Sequence, residues 1–262
     1  MIYQFAKHLR ICIIYLVKKN KNILITGGSS GIGLDLVKSL SNRNWSFHFT
    51  VRNDFKVLKK ITDGMSFKGS SEFYKGDLND DNFLQKLSNE LPVIDYFIFS
   101  AGILEIQPIK FLDRKLINKT LDINLYSPIL LTSNLLKNKK ISKSGSIVFI
   151  SSIAGNFFFA PGYSMYSISK AAINSFSKSL AIELASQKIR VNSILPGTVS
   201  TRMTKNINIL NDSSINKHNS KYPLGIGKPK DIAGLIDFLL SKKSNWITGS
   251  SFVIDGGYTI NK

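Results

Sequence analysis

Tyr166 and Lys170 lie four residues apart in Tyr166-Ser167-Ile168-Ser169-Lys170, a spacing that puts both on one helix face, one turn apart. The pairing has a chemical use. A phenol with a pKa of about 10 is a poor acid or base at neutral pH, whereas a neighbouring ammonium favours the phenolate and draws it toward the working range. Such a pair is common on helix surfaces, so it needs company to mean anything. Tyr163 has no lysine four residues on and is not a rival. The second chemical feature is Thr26-Gly27-Gly28-Ser29-Ser30-Gly31-Ile32-Gly33, which runs directly into the amphipathic Leu-Asp-Leu-Val-Lys-Ser-Leu. Glycines in a strand-to-helix turn let the backbone approach a pyrophosphate closely, and the helix start offers free N–H groups and a positive dipole end.

These residues need a scaffold, and the rest of the chain reads as one. From residue 21 short β-branched runs alternate with longer amphipathic stretches, the pattern of a parallel sheet covered by helices on both faces. Strands are expected at 22–26, 46–51, 71–75, 94–100, 146–151, 190–195 and 252–255, and helices at 31–42, 53–61, 79–90, 109–138, 163–186 and 229–241. The class is α/β, a Rossmann-type doubly wound sheet of seven parallel strands. One domain over 21–262 follows, preceded by an extension of residues 1–20. The polar stretch 204–222, rich in Asn, Ser and Lys, reads as a mobile lid.

The end of the second strand discriminates between dinucleotides: an acidic residue there holds a ribose 2′-OH, and a basic one accommodates a 2′-phosphate. The strand ends Phe49-Thr50-Val51-Arg52. Arg52 therefore points to NADP(H), with NAD(H) as the alternative.

The glycine turn spells T-G-x-x-x-G-x-G rather than the general G-x-G-x-x-G, and this resembles the short-chain dehydrogenase/reductase family. Val51 stands where NAD-preferring members carry Asp. The resemblance continues in family order over roughly residues 21–260. Gly76-Asp77-Leu78 resembles the pair beside the adenine ring, Asp77 accepting from the adenine amino group. Ser100-Ala101-Gly102 stands where the family reads Asn-Ala-Gly, and Ser100 in place of Asn is expected to weaken a strand-tying hydrogen bond. Asn124 resembles the helix asparagine that anchors a water and links the lysine to solvent. Ser152, fourteen residues before Tyr166, falls where the family places the serine that hydrogen-bonds the substrate carbonyl. Pro196-Gly197-Thr198-Val199-Ser200-Thr201 and Asp255-Gly256-Gly257 complete the set, with the Val199 backbone and Thr201 expected against the carboxamide and phosphates.

The resemblance thus implies a catalytic set of Asn124, Ser152, Tyr166 and Lys170. It implies a cofactor set of Gly27, Ser29, Ser30, Gly31, Ile32, Gly33, Arg52, Asp77, Leu78, Ser100, Ala101, Gly102, Tyr166, Lys170, Pro196, Gly197, Val199 and Thr201. It further implies a ketone reductase or the reverse alcohol dehydrogenase, in which Lys170 holds the nicotinamide ribose and lowers the Tyr166 pKa. A homotetramer or homodimer built on the helices around 109–138 and 163–186 is expected.

The 262 residues carry 35 basic and 17 acidic side chains, a net charge of +18. Only six of the cations are Arg, whereas nucleic-acid readers favour the planar Arg fork, and no zinc finger or RNP-like string appears. The surplus reads as solvated surface lysine, and no nucleic-acid partner is expected. Three His and the single Cys12 make no metal cluster and no internal disulfide, consistent with a reducing cytoplasm. The apolar run 11–17 is too short to span a bilayer and lacks a cleavage site, so stable membrane insertion is not expected.

The substrate stays open between two classes. One is a 3-oxoacyl group on acyl-carrier protein, with Lys137, Lys139, Lys140 and Lys143 steering an acidic carrier. The other is a sugar or another small alcohol. Phe157-Phe158-Phe159 and Tyr163 are expected to wall the substrate side. A non-catalytic nucleotide-binding module is the third reading, disfavoured by the intact Ser152, Tyr166 and Lys170.

Overall fold

The computed structural model describes residues 20–52, 56–64, 69–205 and 218–261. The extension (1–19), the start of the expected helix at 53–55 and most of the polar lid (206–217) lie outside the described residues.

Seven strands form one parallel sheet: β1 (Lys21–Thr26), β2 (Trp45–Val51), β3 (Ser71–Lys75), β4 (Ile94–Phe99), β5 (Ile141–Ile150), β6 (Arg190–Pro196) and β7 (Ser251–Ile254). Their spatial order is β3-β2-β1-β4-β5-β6-β7. The helices are α1 (Gly31–Leu40), α2 (Lys56–Gly64), α3 (Asp81–Glu90), α4 (Arg114–Leu121), α5 (Ser127–Lys137), α6 (Ser164–Glu183), the single turn α7 (Arg202–Lys205) and α8 (Pro229–Leu240).

Alternation along each strand splits the core between two faces. Ile23, Ile25, Phe47, Phe49, Ile98 and Val148 pack with Leu36 and Leu40 of α1 and Ile232 and Ile236 of α8. Leu24, Phe97, Phe99, Ile147 and Phe149 face the other way, onto Leu84 of α3, Leu131 and Leu135 of α5 and Ile173 and Leu180 of α6. Strands buried on both faces explain why these segments are apolar runs rather than alternating ones. The direction of strand order reverses between β1 and β4, and the loops leaving their carboxyl ends diverge there to open a crevice.

Two expected elements differ. Strand β5 starts at Ile141, five residues before the expected 146, with a register irregularity against β4 between Ile94 and Tyr96. The expected single helix 109–138 is four pieces: a 3₁₀ turn at Ile109–Phe111, α4, a π-helical turn at Asp122–Tyr126, and α5. Asp113 ends the first break by capping α4, its carboxylate accepting from the Leu116 N–H at 2.7 Å. Pro128 causes the second. Having no N–H, it leaves the Asn124 carbonyl without its i+4 donor, and the helix widens so that the Ser127 N–H reaches the Asp122 carbonyl instead. That turn carries Asn124.

Candidate active site

The crevice is a cavity of about 380 Å³ at the carboxyl ends of the strands. Its wall includes every residue of the expected sets except Gly33 and Asn124, which stand directly behind it. The cradle explains Gly33. Gly27 has φ +70°, and a Cβ there would sit 2.8 Å from the Ala101 nitrogen. A Cβ on Gly33 would lie 2.4 Å from the Gly27 carbonyl oxygen. The turn and helix α1 can pack this closely only as glycines. Ser30 caps α1 in an extended conformation without a side-chain hydrogen bond to the helix, so the first-turn N–H groups are left for an anion.

The strand-tying hydrogen bond expected at Ser100 is made from the opposite side. The fully buried Thr26 Oγ1 accepts from the Ser100 N–H at 3.1 Å and the Ala101 N–H at 3.2 Å. Because the donors are backbone groups, replacing Asn by Ser at position 100 leaves this tie intact. Arg52 is exposed at the cavity rim just beyond β2. Asp77 is exposed, and its Oδ1 accepts from the Asn79 N–H at 3.0 Å, which holds the turn after β3.

Asn124 is 2 % exposed and braces the loop after β4. Its Oδ1 accepts from the Ile103 N–H at 2.9 Å, while its Nδ2 donates to the Ile103 carbonyl at 2.9 Å and to Ser169 Oγ at 3.1 Å. Ser169 Oγ in turn donates to the Tyr166 carbonyl at 2.7 Å. The side chain is thus engaged by the loop and by α6.

Ser152 follows β5, and its Oγ accepts from the Ala154 N–H at 3.1 Å. Tyr166 and Lys170 share a face of α6 as their spacing required. Lys170 is buried, donates from Nζ to the Ile150 carbonyl at 2.9 Å, and stands 5.8 Å from the Tyr166 ring centre. Burial lowers its ammonium to about 8. Burial likewise pushes the Tyr166 phenol up to about 12, with Tyr163 adding to the rise and a hydrogen bond with Ser152 opposing it. The Lys170 ammonium is engaged by the Ile150 carbonyl, and burial is the largest influence on the phenol.

After β6, Thr201 packs beside Gly31, and Pro196, Gly197 and Val199 line the cavity. Arg202, Met203 and Thr204 line it too, as do Ile103, Ile123, Ile150 and Ser151, none of which the sequence singled out. Their only signal was adjacency to residues that were. The motif Asp255-Gly256-Gly257 is a structural turn, Asp255 accepting from the Gly257 and Thr259 N–H groups at 3.0 and 2.8 Å.

Phe157, Phe158, Phe159 and Tyr163, expected as an aromatic wall, are not among the residues lining this cavity. Phe158 packs edge-on to Tyr163 at 5.3 Å, and Tyr163 to Tyr166 at 6.3 Å, whereas Phe157 and Phe159 are 55 % and 72 % exposed. Lys137, Lys139, Lys140 and Lys143 lie around the start of β5, whereas Ser152 follows its other end. Lys140 is in addition bonded to the Asn89 and Leu91 carbonyls, closing the end of α3. No helix among the described residues is long and apolar enough to cross a membrane, and no group of metal ligands is found among them.

The family model described as enoyl-(acyl carrier protein) reductase matches residues 27–259. The chain is 34% identical over 245 residues to the 3-oxoacyl-(acyl-carrier-protein) reductase FabG of Chlamydia muridarum, covering 91% of this chain and 97% of that one. It is 29% identical over 249 residues to the cyclopentanol dehydrogenase of Comamonas testosteroni, covering 92% and 98%. Among solved structures, a short chain dehydrogenase family protein from Francisella tularensis superposes with a TM-score of 0.78 at 34% identity, covering 92% and 99%. With sheet order, glycine cradle and the Ser-Tyr-Lys grouping all in agreement, the chain belongs to the short-chain dehydrogenase/reductase family.

Proposed function

We propose that this protein is an NADP(H)-preferring oxidoreductase that reduces a ketone to a secondary alcohol, or runs the reverse reaction. The observation that carries the reading is the convergence of Ser152, Tyr166 and Lys170 on the same cavity as the glycine cradle. That cavity fits a dinucleotide: the close approach at Gly27 and Gly33 leaves backbone where side chains would block it, and the uncapped start of α1 suits a pyrophosphate. Arg52 at the rim would hold the 2′-phosphate, Asp77 and Leu78 the adenine, and Val199 and Thr201 the nicotinamide end and phosphates.

When bound, the nicotinamide ring supplies the hydride to the carbonyl carbon, or accepts it in reverse. The chain supplies the rest. Ser152 Oγ donates to the substrate oxygen and fixes its position. Tyr166 would deliver its proton to that oxygen in reduction and take it back in the reverse reaction. Lys170, charged below about 8, would hold the ribose and offset the phenolate left behind. Asn124 keeps the loop after β4 and α6 in register.

For substrate, a 3-oxoacyl thioester on acyl-carrier protein is the leading reading, supported by likeness to FabG, and a small cyclic or sugar alcohol is the second, supported by likeness to cyclopentanol dehydrogenase. The protein is read as a cytoplasmic homo-oligomer. Exposed Tyr126, Leu130, Ile168 and Ile182 on the π turn, α5 and α6 support an interface there. The test is NADPH consumption with acetoacetyl thioesters against a panel of cyclic and sugar ketones. Turnover of at least one ketone that Tyr166→Phe abolishes, with NADPH binding retained, is the expected result; full activity in that variant would refute the assignment.

A further inference from the structure

The π turn Asp122–Tyr126 does more than carry Asn124. At its end Ser127 is 2 % exposed and places a single hydroxyl between two loops. Ser127 Oγ lies 2.7 Å from the Leu78 carbonyl, 2.6 Å from the Asp122 carbonyl and 3.2 Å from Asn79 Oδ1. Leu78 lines the cavity beside Asp77, and Asp77 holds the Asn79 N–H. At the middle of the same turn is Asn124, tied to both backbone groups of Ile103 and, through Ser169, to the Tyr166 carbonyl. A path therefore runs from the loop after β3 through the Ser127 hydroxyl to Asp122, along the π-turn backbone to Asn124, and through Ser169 to the helix that bears Tyr166 and Lys170.

We infer that Ser127 is a positioning residue that couples the adenine side of the cavity to the Tyr166–Lys170 frame. This rests on the dinucleotide reading above. The physical argument has three parts. A hydroxyl has one proton and here faces two carbonyls, so it can be shared or passed between the loop and the turn with little displacement. The turn is a weakened point of the helix, because Pro128 has removed one rung of its ladder, so an outside bond can decide where it settles. The hydroxyl is buried, so its bonds are not traded for water. Ordering of the Gly76-Asp77-Leu78 loop by an adenine would then favour the arrangement in which Asn124 grips Ile103 and α6, before any substrate arrives.

The experiment reads amide hydrogen exchange in the full chain with and without saturating adenosine 2′,5′-bisphosphate, a probe that fills only the adenine half. In the wild type, exchange should slow at residues 50–52 and 76–79, which the probe touches, and also about threefold or more at 102–104 and 165–171, which it does not. In Ser127→Ala the local protection should persist while the remote protection falls to about none, and kcat should drop roughly fivefold with the substrate KM within about twofold. Asn79→Ala, at an exposed position that leaves the fold alone, should weaken the remote protection in the same direction. Remote protection equal in wild type and Ser127→Ala, or absent from the wild type while the local protection is present, overturns the coupling. Absence of local protection in the wild type overturns the adenine site itself and the coupling with it.

Discussion

Lys170 Nζ donates to the Ile150 carbonyl at 2.9 Å while standing 5.8 Å from the centre of the Tyr166 ring. The lysine is on the face of the tyrosine but anchored to the last residue of β5, so strand and helix are locked together at the point where catalysis is proposed. Both groups are driven toward their neutral forms by the same burial, the lysine down to about 8 and the phenol up to about 12.

That pair sets a pH dependence. Lys170 binds its proton less readily here than when unfolded, so its charge is present below about 8 and lost above it. The rate of ketone reduction per enzyme-bound cofactor should therefore fall as pH rises through about 8, while Tyr166 stays protonated throughout. Lys170→Arg, whose charge persists, should move this falling limb upward even if the maximum rate is lower. A pH–rate profile in which the limb stays where it was would assign it to another group.

The cradle is sensitive to one methyl. Gly33→Ala forces a Cβ to within 2.4 Å of the Gly27 carbonyl, a backbone atom that cannot swing aside. Denaturant midpoints should show a loss of ~1–3 kcal/mol, and calorimetry should show cofactor binding weakened further than the loss of stability explains, because α1 must move off the pyrophosphate site.

Arg52 should decide the cofactor. With Arg52→Ala the KM for NADPH is expected to rise roughly tenfold, about 1.4 kcal/mol, with that for NADH within about twofold. Steady-state kinetics with both cofactors give the ratio directly, and an unchanged ratio would remove Arg52 from the 2′-phosphate site.

A second buried base lies away from the cavity. His48 in β2 is 2 % exposed, its Nδ1 is 3.2 Å from the Tyr74 hydroxyl and 3.4 Å from Glu72 Oε2, and its Nε2 has no partner among the described residues. Burial lowers its pKa, although Glu72 works in the other direction. The folded state therefore takes up a proton less readily than the unfolded chain. Stability held above the ordinary histidine pKa of about 6.5 should fall as pH drops below it, by at most ~1.4 kcal/mol per pH unit. Urea melts at pH 7 and 5 should differ less in His48→Gln than in the wild type; an equal difference would place the acid sensitivity elsewhere.

Much of this site could be read from one dimension. That Tyr166 and Lys170 share a helix face needed only helical periodicity, and the Thr26–Gly33 turn needed only its glycines between a strand and a helix, because both are local rules of backbone geometry. The residues that escaped, Ile103, Ile123, Ile150 and Arg202 among them, come to the cavity through packing and carry no type-specific mark. The helix expected over 109–138 failed at readable residues, Asp113, which caps a new helix start, and Pro128, which lacks an N–H for the ladder.

By itself the sequence determined the order of strands and helices and the glycine cradle, since these follow from periodicity and from the backbone freedom of glycine, and its resemblance to a family named the side chains proposed to react. Only the tertiary structure decided their electrostatics and their connections. Desolvation, which depends on everything packed around a group, is the largest influence on both Tyr166 and Lys170. The partners of Lys140 and Asn124, and the Leu78 carbonyl that meets Ser127, lie 21 to 51 positions away along the chain, at distances that no local pattern can encode.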